Sequence, residues 1–392
     1  MTPAARVQSA IELLDLILAA AKAQGAPADR ILAEWFRARR FAGSKDRRAI
    51  RELVFAAIRA CGPMPSSGRA AMLRLAAVDA ALTGLFDGSP YGPAALAEEE
   101  PVAEGGVAPR WLEGRLAASG IAGAEAAGLL GRAPLDLRVN TLKAARATLA
   151  LPIAAGATAA PHGLRLASGA PVEQWEAWRE GLIEVQDTGS QLACEALGAR
   201  PGETVIDLCA GGGGKTLALA AAMENRGRLI ASDTDRQRLS RLGPRAGRAG
   251  AGMIETRLLD AGREREGLAD LMGAADAVLV DAPCSGTGTW RRNPETRWRL
   301  TPAGLDRLVA TQAYLLDLAA ELVRPGGRVV YVVCSLLDDE GADQFAAFLA
   351  RHSRFAAQAP AVPLGAPRGA GVRLTPAVDD TDGFFIACAG AA

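Results

Sequence analysis

Near the N-terminus of the 392-residue chain, apolar residues recur at helical spacing. Val7, Ile11, Leu14 and Leu18 mark one face of a helix over residues 4–22. A second amphipathic stretch runs over Ala28–Arg40. A third follows Ser44, a suitable N-cap, through Ile50, Leu53, Val54 and Ile58. A fourth spans Arg69–Leu82. From about Gln186 the pattern changes, and short β-branched runs alternate with Ala-, Leu- and Arg-rich helical segments. The candidate strands are Thr204–Leu208, Arg228–Ser232, Arg257–Leu259, Ala277–Val280 and Arg328–Val333. Such runs read as strands covered on both faces, and their alternation with helices predicts a doubly wound α/β sheet. The closing Asp382–Gly390 is expected to add a last edge strand.

These patterns divide the chain into four parts. Residues 1–86 form an all-α module, and 87–130 a linker with connecting helices, opened by the Pro-, Gly- and acid-rich stretch 87–106. Residues 131–190, with a strand in Leu135–Lys143, form a small α/β subdomain. Residues 191–392 form the Rossmann-like domain.

An apolar fraction of 49% with 22% charged residues is that of a globular protein. There is no signal-peptide pattern and no apolar run long enough to span a bilayer, so a cytoplasmic location without a membrane partner is expected. Six scattered cysteines with no CxxC pair, and only two histidines, favour neither a disulfide scaffold nor a metal site. No obligate protein partner is evident. A net charge of zero argues against a dominating nonspecific grip on nucleic acid. Locally, however, Arg37, Arg39, Arg40, Lys45, Arg47, Arg48 and Arg51 face Asp46 alone. Arginine suits bidentate phosphate contact, so this patch is a candidate RNA contact, with a solvated helix face as the plain alternative.

In TVIDLCAGGGGKT a buried strand runs into four glycines and then a helix near Lys215. The phosphate-binding spacing GxxxxGK[ST] fails, because its first glycine would fall on Cys209. The loop alone leaves a nicotinamide-binding fold open. Asp207, Asp233, Asp260 and Asp281 lie in or at the ends of successive strands. That series repels polyphosphate but suits a cofactor with cationic and hydroxyl groups. Asp233 can take ribose hydroxyls and Asp260 can lie near an adenine amine, and S-adenosylmethionine fits. Cys284 and Cys334 each follow a hydrophobic run, and chemistry in open α/β sheets gathers at the carboxyl ends of strands. Two thiols and Asp281 are therefore expected together. Cys61, Cys194 and Cys388 read as small buried hydrophobes.

The segments DLCAGGGGK (Asp207–Lys215), ASDTDRQRL (Ala231–Leu239), DAPCSGTG (Asp281–Gly288), RRNPETRW (Arg291–Trp298) and VVCS (Val332–Ser335) resemble RNA cytosine-C5 methyltransferases of the RsmB/NOP2 type. LRVNTLK, EVQDTGSQL and the closing DGFF extend the resemblance, which runs from about residue 109 to the end. The N-terminal helices look like the NusB-like RNA-binding module of RsmB-like members. The resemblance implies a class I methyltransferase domain that binds S-adenosylmethionine through Cys209, Ala210, Gly211, Gly212, Gly213, Gly214, Lys215, Asp233, Arg238, Asp260 and Asp281. It implies Cys334 as the nucleophile toward carbon 6 of cytosine and Asp281 as the group that hydrogen-bonds the ring. Cys284 would assist release, and Lys215 would orient Asp281 or Cys334. Arg291, Arg292, Arg297 and Trp298 suit phosphate contact and base stacking, with helix capping and packing as the alternative for Trp298.

The substrate this implies is RNA, foremost small-subunit ribosomal RNA, with transfer RNA as an alternative. Methylation at nitrogen usually goes with an Asn/Asp-Pro-Pro-aromatic turn, where this chain has Asp281-Ala282-Pro283-Cys284. A non-catalytic ribosome-assembly factor would carry a broken cofactor loop or lack a cysteine. Two departures stand out: CAGGGGK replaces CAAPGGK, and Asp338-Asp339-Glu340-Gly341 replaces Pro-Glu-Glu-Asn. The second leaves open how the turn after Cys334 is built.

Overall fold

Thr2 caps the first helix by accepting from the amide of Ala5 at 3.2 Å, and a proline at the helix start has no amide to leave unpaired. That helix, α1 (Pro3–Lys22), packs with α2 (Ala28–Ala38), α3 (Ser44–Ala60) and α4 (Gly68–Ala76). Their apolar stripes meet in a core that includes Val7, Leu14, Leu32, Trp35, Val54, Ile58 and Met72. Gly68 admits α4 against α1, since a side chain there would collide with the Ile11 carbonyl. Ser44 is the first helical residue and Gly43 occupies the cap, so Ser44 makes no cap hydrogen bond. The fourth helix is shorter than its pattern predicts: it stops at Ala76, and a 3-10 turn over Ala80–Leu85 follows, capped by Asp79.

The computed structural model describes all 392 residues and divides into two units. The first holds Met1–Gly131 and Thr289–Thr301. Within it, residues 87–106 carry neither helix nor strand, yet they are tied down. Ala103 donates to the Ala70 carbonyl, Gly62 to the Glu104 carbonyl, and Arg69 pairs with Glu100 at 2.6 Å. The short segment 289–301 is pinned more tightly. Arg297 is fully buried and donates to the carbonyls of Ile58 at 2.6 Å and Cys61 at 2.5 Å. The Trp298 indole donates to the Gly62 carbonyl at 3.0 Å, and Glu295 accepts from the first amide of α2 at 3.0 Å. Trp298 therefore packs, and burial withholds it from base stacking.

The second unit holds Arg132–Gly288 and Pro302–Ala392. An antiparallel sheet of β1 (Leu135–Val139), β2 (Gly156–Ala157), β3 (Gly163–Leu166) and β4 (Ile183–Val185) runs in the order β2-β3-β1-β4. The larger sheet contains β5 (Thr204–Asp207), β6 (Arg228–Asp233), β7 (Ile254–Leu258), β8 (Ala275–Asp281) and β9 (Val323–Val333). It is completed by β10 (Phe355–Gln358), β11 (Ala366–Arg368), β12 (Gly371–Leu374) and β13 (Phe384–Ala391). The order is β7-β6-β5-β8-β9-β13-β12-β11, with β10 also on β13. Strands β5 to β9 are parallel, and β13 joins β9 antiparallel.

Because side chains alternate along a strand, each face of this sheet has its own core. Ile206, Ile230, Val278, Val280 and Tyr331 fill one, and Val205, Leu229, Leu279, Val330 and Val332 the other. Two expectations need correction. The closing strand is interior, flanked by β9 on one side and by β12 and β10 on the other, because the preceding hairpin supplies the edge. The third parallel strand begins at Ile254, three residues before Arg257, and is an edge strand with Glu255 and Thr256 exposed. No helix is long and apolar enough to cross a membrane.

Candidate active site

The sheet order turns between β5 and β8, which is where open α/β sheets form a crevice at their carboxyl ends. From β5 the chain enters the glycine loop and then the helix Gly214–Ala222. Gly211 (φ +55°) and Gly213 (φ +81°) take left-handed backbone, and a side chain on Gly213 would strike Leu242. The loop's amides and carbonyls are engaged from two sides. Gly211 donates to Asp233 Oδ2 at 2.7 Å, whose other oxygen accepts from Asp235 at 2.7 Å. The Gly212 carbonyl accepts from Arg245, itself paired at 2.9 Å with the buried Glu184 of β4. These restraints offset the freedom that four successive glycines confer.

Asp207 lies fully buried at the base of the loop. One oxygen accepts from Thr216 Oγ1 at 2.6 Å, and the other has no partner. Burial pushes its carboxyl up to about 7, with Asp281 and Asp233 adding to the rise while Thr216 and Lys215 oppose it.

Strands β8 and β9 are neighbours, and their ends bring the second half of the site together. Asp281 ends β8, and its carboxylate holds Lys215 Nζ at 2.7 Å. Burial disfavours the Lys215 charge, but Asp281 with the nearby Cys194 and Cys334 outweighs it, so the ammonium is held charged. Cys334 follows β9 directly, and its Sγ lies 3.4 Å from Cys284 Sγ. The hydrogen bond to Cys334, burial and the charges of Cys334 and Glu340 push the Cys284 thiol well above its ordinary range.

A cavity of about 420 Å³ connects these groups, a size usual for small-molecule sites. Asp233, Asp235 and Arg238 line one end, Leu208, Leu259 and Leu315 supply apolar wall, and Asp281, Cys284 and Cys334 lie at the other. Four of its lining residues are acids (Asp233, Asp235, Glu264 and Asp281) and Arg238 is its sole basic one.

Of the residues nominated from sequence, Cys209, Asp233, Arg238, Asp281, Cys284 and Cys334 line the cavity. Ala210 and Gly211 to Gly214 form the adjoining loop, and Lys215 stands behind Asp281. Asp260 departs from expectation: it is exposed and does not line the cavity, because β7 stops at Leu258 and Asp260 falls in the following turn. Three acids of the site escape the sequence reading: Asp235, which lines the cavity, Glu264 and Glu340. Glu264 lines the cavity and accepts from the Tyr314 hydroxyl at 2.9 Å, and Glu340 is buried beside the thiols. These last two sit in acid-rich surroundings, Arg-Glu-Arg-Glu and Asp-Asp-Glu, that read as solvated charge.

A parallel sheet of this order, with a cavity at its turning point, has the fold of class I methyltransferases. Residues 194–389 match the family described as 16S rRNA methyltransferase RsmB/F, and the chain belongs to that family. The probable ribosomal RNA small subunit methyltransferase B of Synechocystis is 34% identical over 266 residues, covering 64% of this chain and 59% of that protein. Its counterpart in Enterobacter is 36% identical over 227 residues, 58% of this chain and 51% of that protein. The chain thus spans little more than half the length of these relatives. Among solved structures, the crystal structure of PH0851 superimposes with a TM-score of 0.78 at 25% identity over 99% of both chains. A methyltransferase homolog protein from Pyrococcus horikoshii does so with a TM-score of 0.61 at 25% identity, over 72% of this chain and all of that one.

Proposed function

We propose that this chain methylates carbon 5 of a cytosine in small-subunit ribosomal RNA, with S-adenosylmethionine as methyl donor. The observation that carries the reading is the pair of thiols 3.4 Å apart, beside Asp281, at one end of an acidic cavity. The cavity fits the donor: four acidic residues against one guanidinium favour a ligand with cationic and hydroxyl groups over a polyphosphate. Asp233 and Arg238 would hold its nucleoside part and Asp281 would face its charged end. When bound, it supplies an electrophilic methyl group.

Carbon 5 of cytosine is too weak a nucleophile to react unaided. Cys334 Sγ bonds to carbon 6 as the 5,6 double bond opens, and the electron pair is delivered to carbon 5. The Asp281 carboxylate accepts from the amino group of the ring, and Lys215 puts a positive charge next to the site. Once carbon 5 is methylated its proton must leave. Cys284 holds its own proton while Cys334 faces it as a hydrogen-bonded neighbour. Bonding of Cys334 to carbon 6 removes that hydrogen bond; Cys284 gives its own proton to water and then takes the one on carbon 5, so one proton per turnover passes to solvent. The double bond then re-forms and the Cys334 thiolate departs. The base must leave its stack to reach the thiols, which favours unpaired RNA. In the first unit, the exposed Arg37, Arg40, Lys45 and Arg48 support an RNA contact by the helical module.

The test is a trap. Cys284→Ala, incubated with total RNA and S-adenosylmethionine, should give a protein–RNA band on a denaturing gel that vanishes when Cys334→Ala is added. Sequencing the attached RNA separates ribosomal from transfer RNA. No band, while the unmodified protein still methylates RNA, overturns the two-thiol chemistry in favour of methylation at nitrogen.

A further inference from the structure

Each reactive cysteine is followed by a serine, and both serines turn to the same carboxylate. Glu340 is fully buried. Its Oε1 accepts from the Ser285 amide at 2.8 Å and from Gln312 Nε2 at 3.0 Å. Its Oε2 accepts from Ser335 Oγ at 2.5 Å and from Ser285 Oγ, and the two hydroxyls lie 3.1 Å apart. Gln312 also donates to the Pro283 carbonyl at 2.9 Å, and the Tyr331 hydroxyl holds the Glu340 carbonyl at 2.6 Å. The two cysteine loops, which leave the sheet on separate strands, are thus joined by the Glu340 side chain on the Ser285 side, and on the far side by the Leu336 amide on Thr287 Oγ1 at 2.8 Å and the Gly288 amide on the Cys334 carbonyl at 3.0 Å.

The local sequence lets Glu340 turn inward. Asp338 is taken up by Arg368, and Gly341 closes the turn where a side chain would come within 3.0 Å of the Phe385 ring. The donors to this carboxylate are amides and hydroxyls. A buried carboxylate held by neutral donors is costly compared with an apolar side chain of the same size, so the link is better explained by the geometry it imposes than by stability.

We propose that Glu340 is a positioning residue: by gripping Ser285 and Ser335 it fixes the separation of the Cys284 and Cys334 thiols. The purpose of that separation, proton removal at a carbon bonded to Cys334, rests on the function proposed above. The charge of the carboxylate also adds to the forces that keep the Cys284 thiol protonated.

The distance between the thiols can be read without RNA or cofactor. Oxidised glutathione converts the two thiols to a Cys284–Cys334 disulfide and two reduced glutathiones, and the equilibrium constant reports how closely the sulfurs are held. The full chain, Glu340→Gln and Glu340→Ala are equilibrated in glutathione mixtures, quenched and read by mass spectrometry, with thermal unfolding run alongside. Glu340→Ala should lower the constant by roughly tenfold or more, the loss expected when buried hydrogen bonds no longer hold the loops. Glu340→Gln keeps an acceptor for the Ser285 amide and should stay within about threefold of the parent. Should Glu340→Ala not fold, the double variant Ser285→Ala with Ser335→Ala removes both hydroxyl contacts while the Ser285 amide bond remains, and should give a smaller fall of more than about threefold. An unchanged constant in whichever folded variant lacks the grip overturns the proposal. If the constant falls but the trap gives no adduct, the brace stands and the cytosine chemistry fails; an adduct with an unchanged constant means the reverse.

Discussion

Residues 281–288 and 289–301 are consecutive in sequence yet use their polar side chains in opposite ways. The first segment leaves Asp281 and Cys284 on a cavity wall, with a lysine and a second thiol as partners. The second commits Arg297 and Trp298 to carbonyls of the helical unit, where burial pulls the Arg297 guanidinium down to about 10. By composition alone the Arg- and Trp-rich segment looks the more suited to nucleic acid. Satisfaction of hydrogen bonds decides otherwise: donors already matched to buried carbonyls have little left for a ligand, whereas shared or lone groups do.

The largest effect that separates the two segments is catalytic. Cys334→Ala should lower single-turnover methylation of RNA by roughly a thousandfold or more, because the covalent route is closed. Arg297→Met should leave the rate per folded molecule unchanged. A matching loss in both would mean that segment 289–301 also takes part in the chemistry.

Next comes a buried charge that titrates near neutrality. The native Asp207 carboxyl is raised to about 7, whereas in the unfolded chain it titrates near 4. Between those values the native state binds more protons than the unfolded one, so stability falls as pH rises through this window. The full cost, reached above about pH 7, is of order 4 kcal/mol. Asp207→Asn keeps an acceptor for Thr216 and removes the titration. In chemical denaturation it should be more stable than the parent at pH 8 and close to it at pH 4. An equal difference at both pH values would count against a raised carboxyl.

Where the sequence was legible, the physics was local. Runs such as Val278–Val280 and Val329–Val333 are covered on both faces, so their hydrophobicity is continuous and their ends show. Edge strand β7 carries exposed Glu255 and Thr256 within it, so its hydrophobic run is broken and neither its start nor the place of Asp260 shows in the sequence. Asp281, Cys284 and Cys334 could be found because they sit just past buried runs. Glu340 could not, because what buries it are Ser285 and Gln312, 55 and 28 residues away in sequence. Arg297 and Trp298 are ambiguous for the same reason, since the carbonyls of Ile58, Cys61 and Gly62 that hold them lie more than 230 residues earlier.

The smaller effects test the packed segment itself. Arg297→Met takes the guanidinium donor from the carbonyls of Pro294, Ile58 and Cys61, of which Ile58 keeps the Cys61 amide, and should destabilise the helical unit by about 3 kcal/mol. Trp298→Phe is milder and more telling. The ring still fills the core, but the bond to the Gly62 carbonyl is lost, a cost of about 1 kcal/mol and roughly 2–4 °C in thermal unfolding. RNA affinity, measured by filter binding at fixed salt, should not change. A residue that stacks on a base carries about 1–3 kcal/mol of binding, so a fall in affinity with an unchanged unfolding temperature would return Trp298 to the RNA surface and erase the contrast between the two segments.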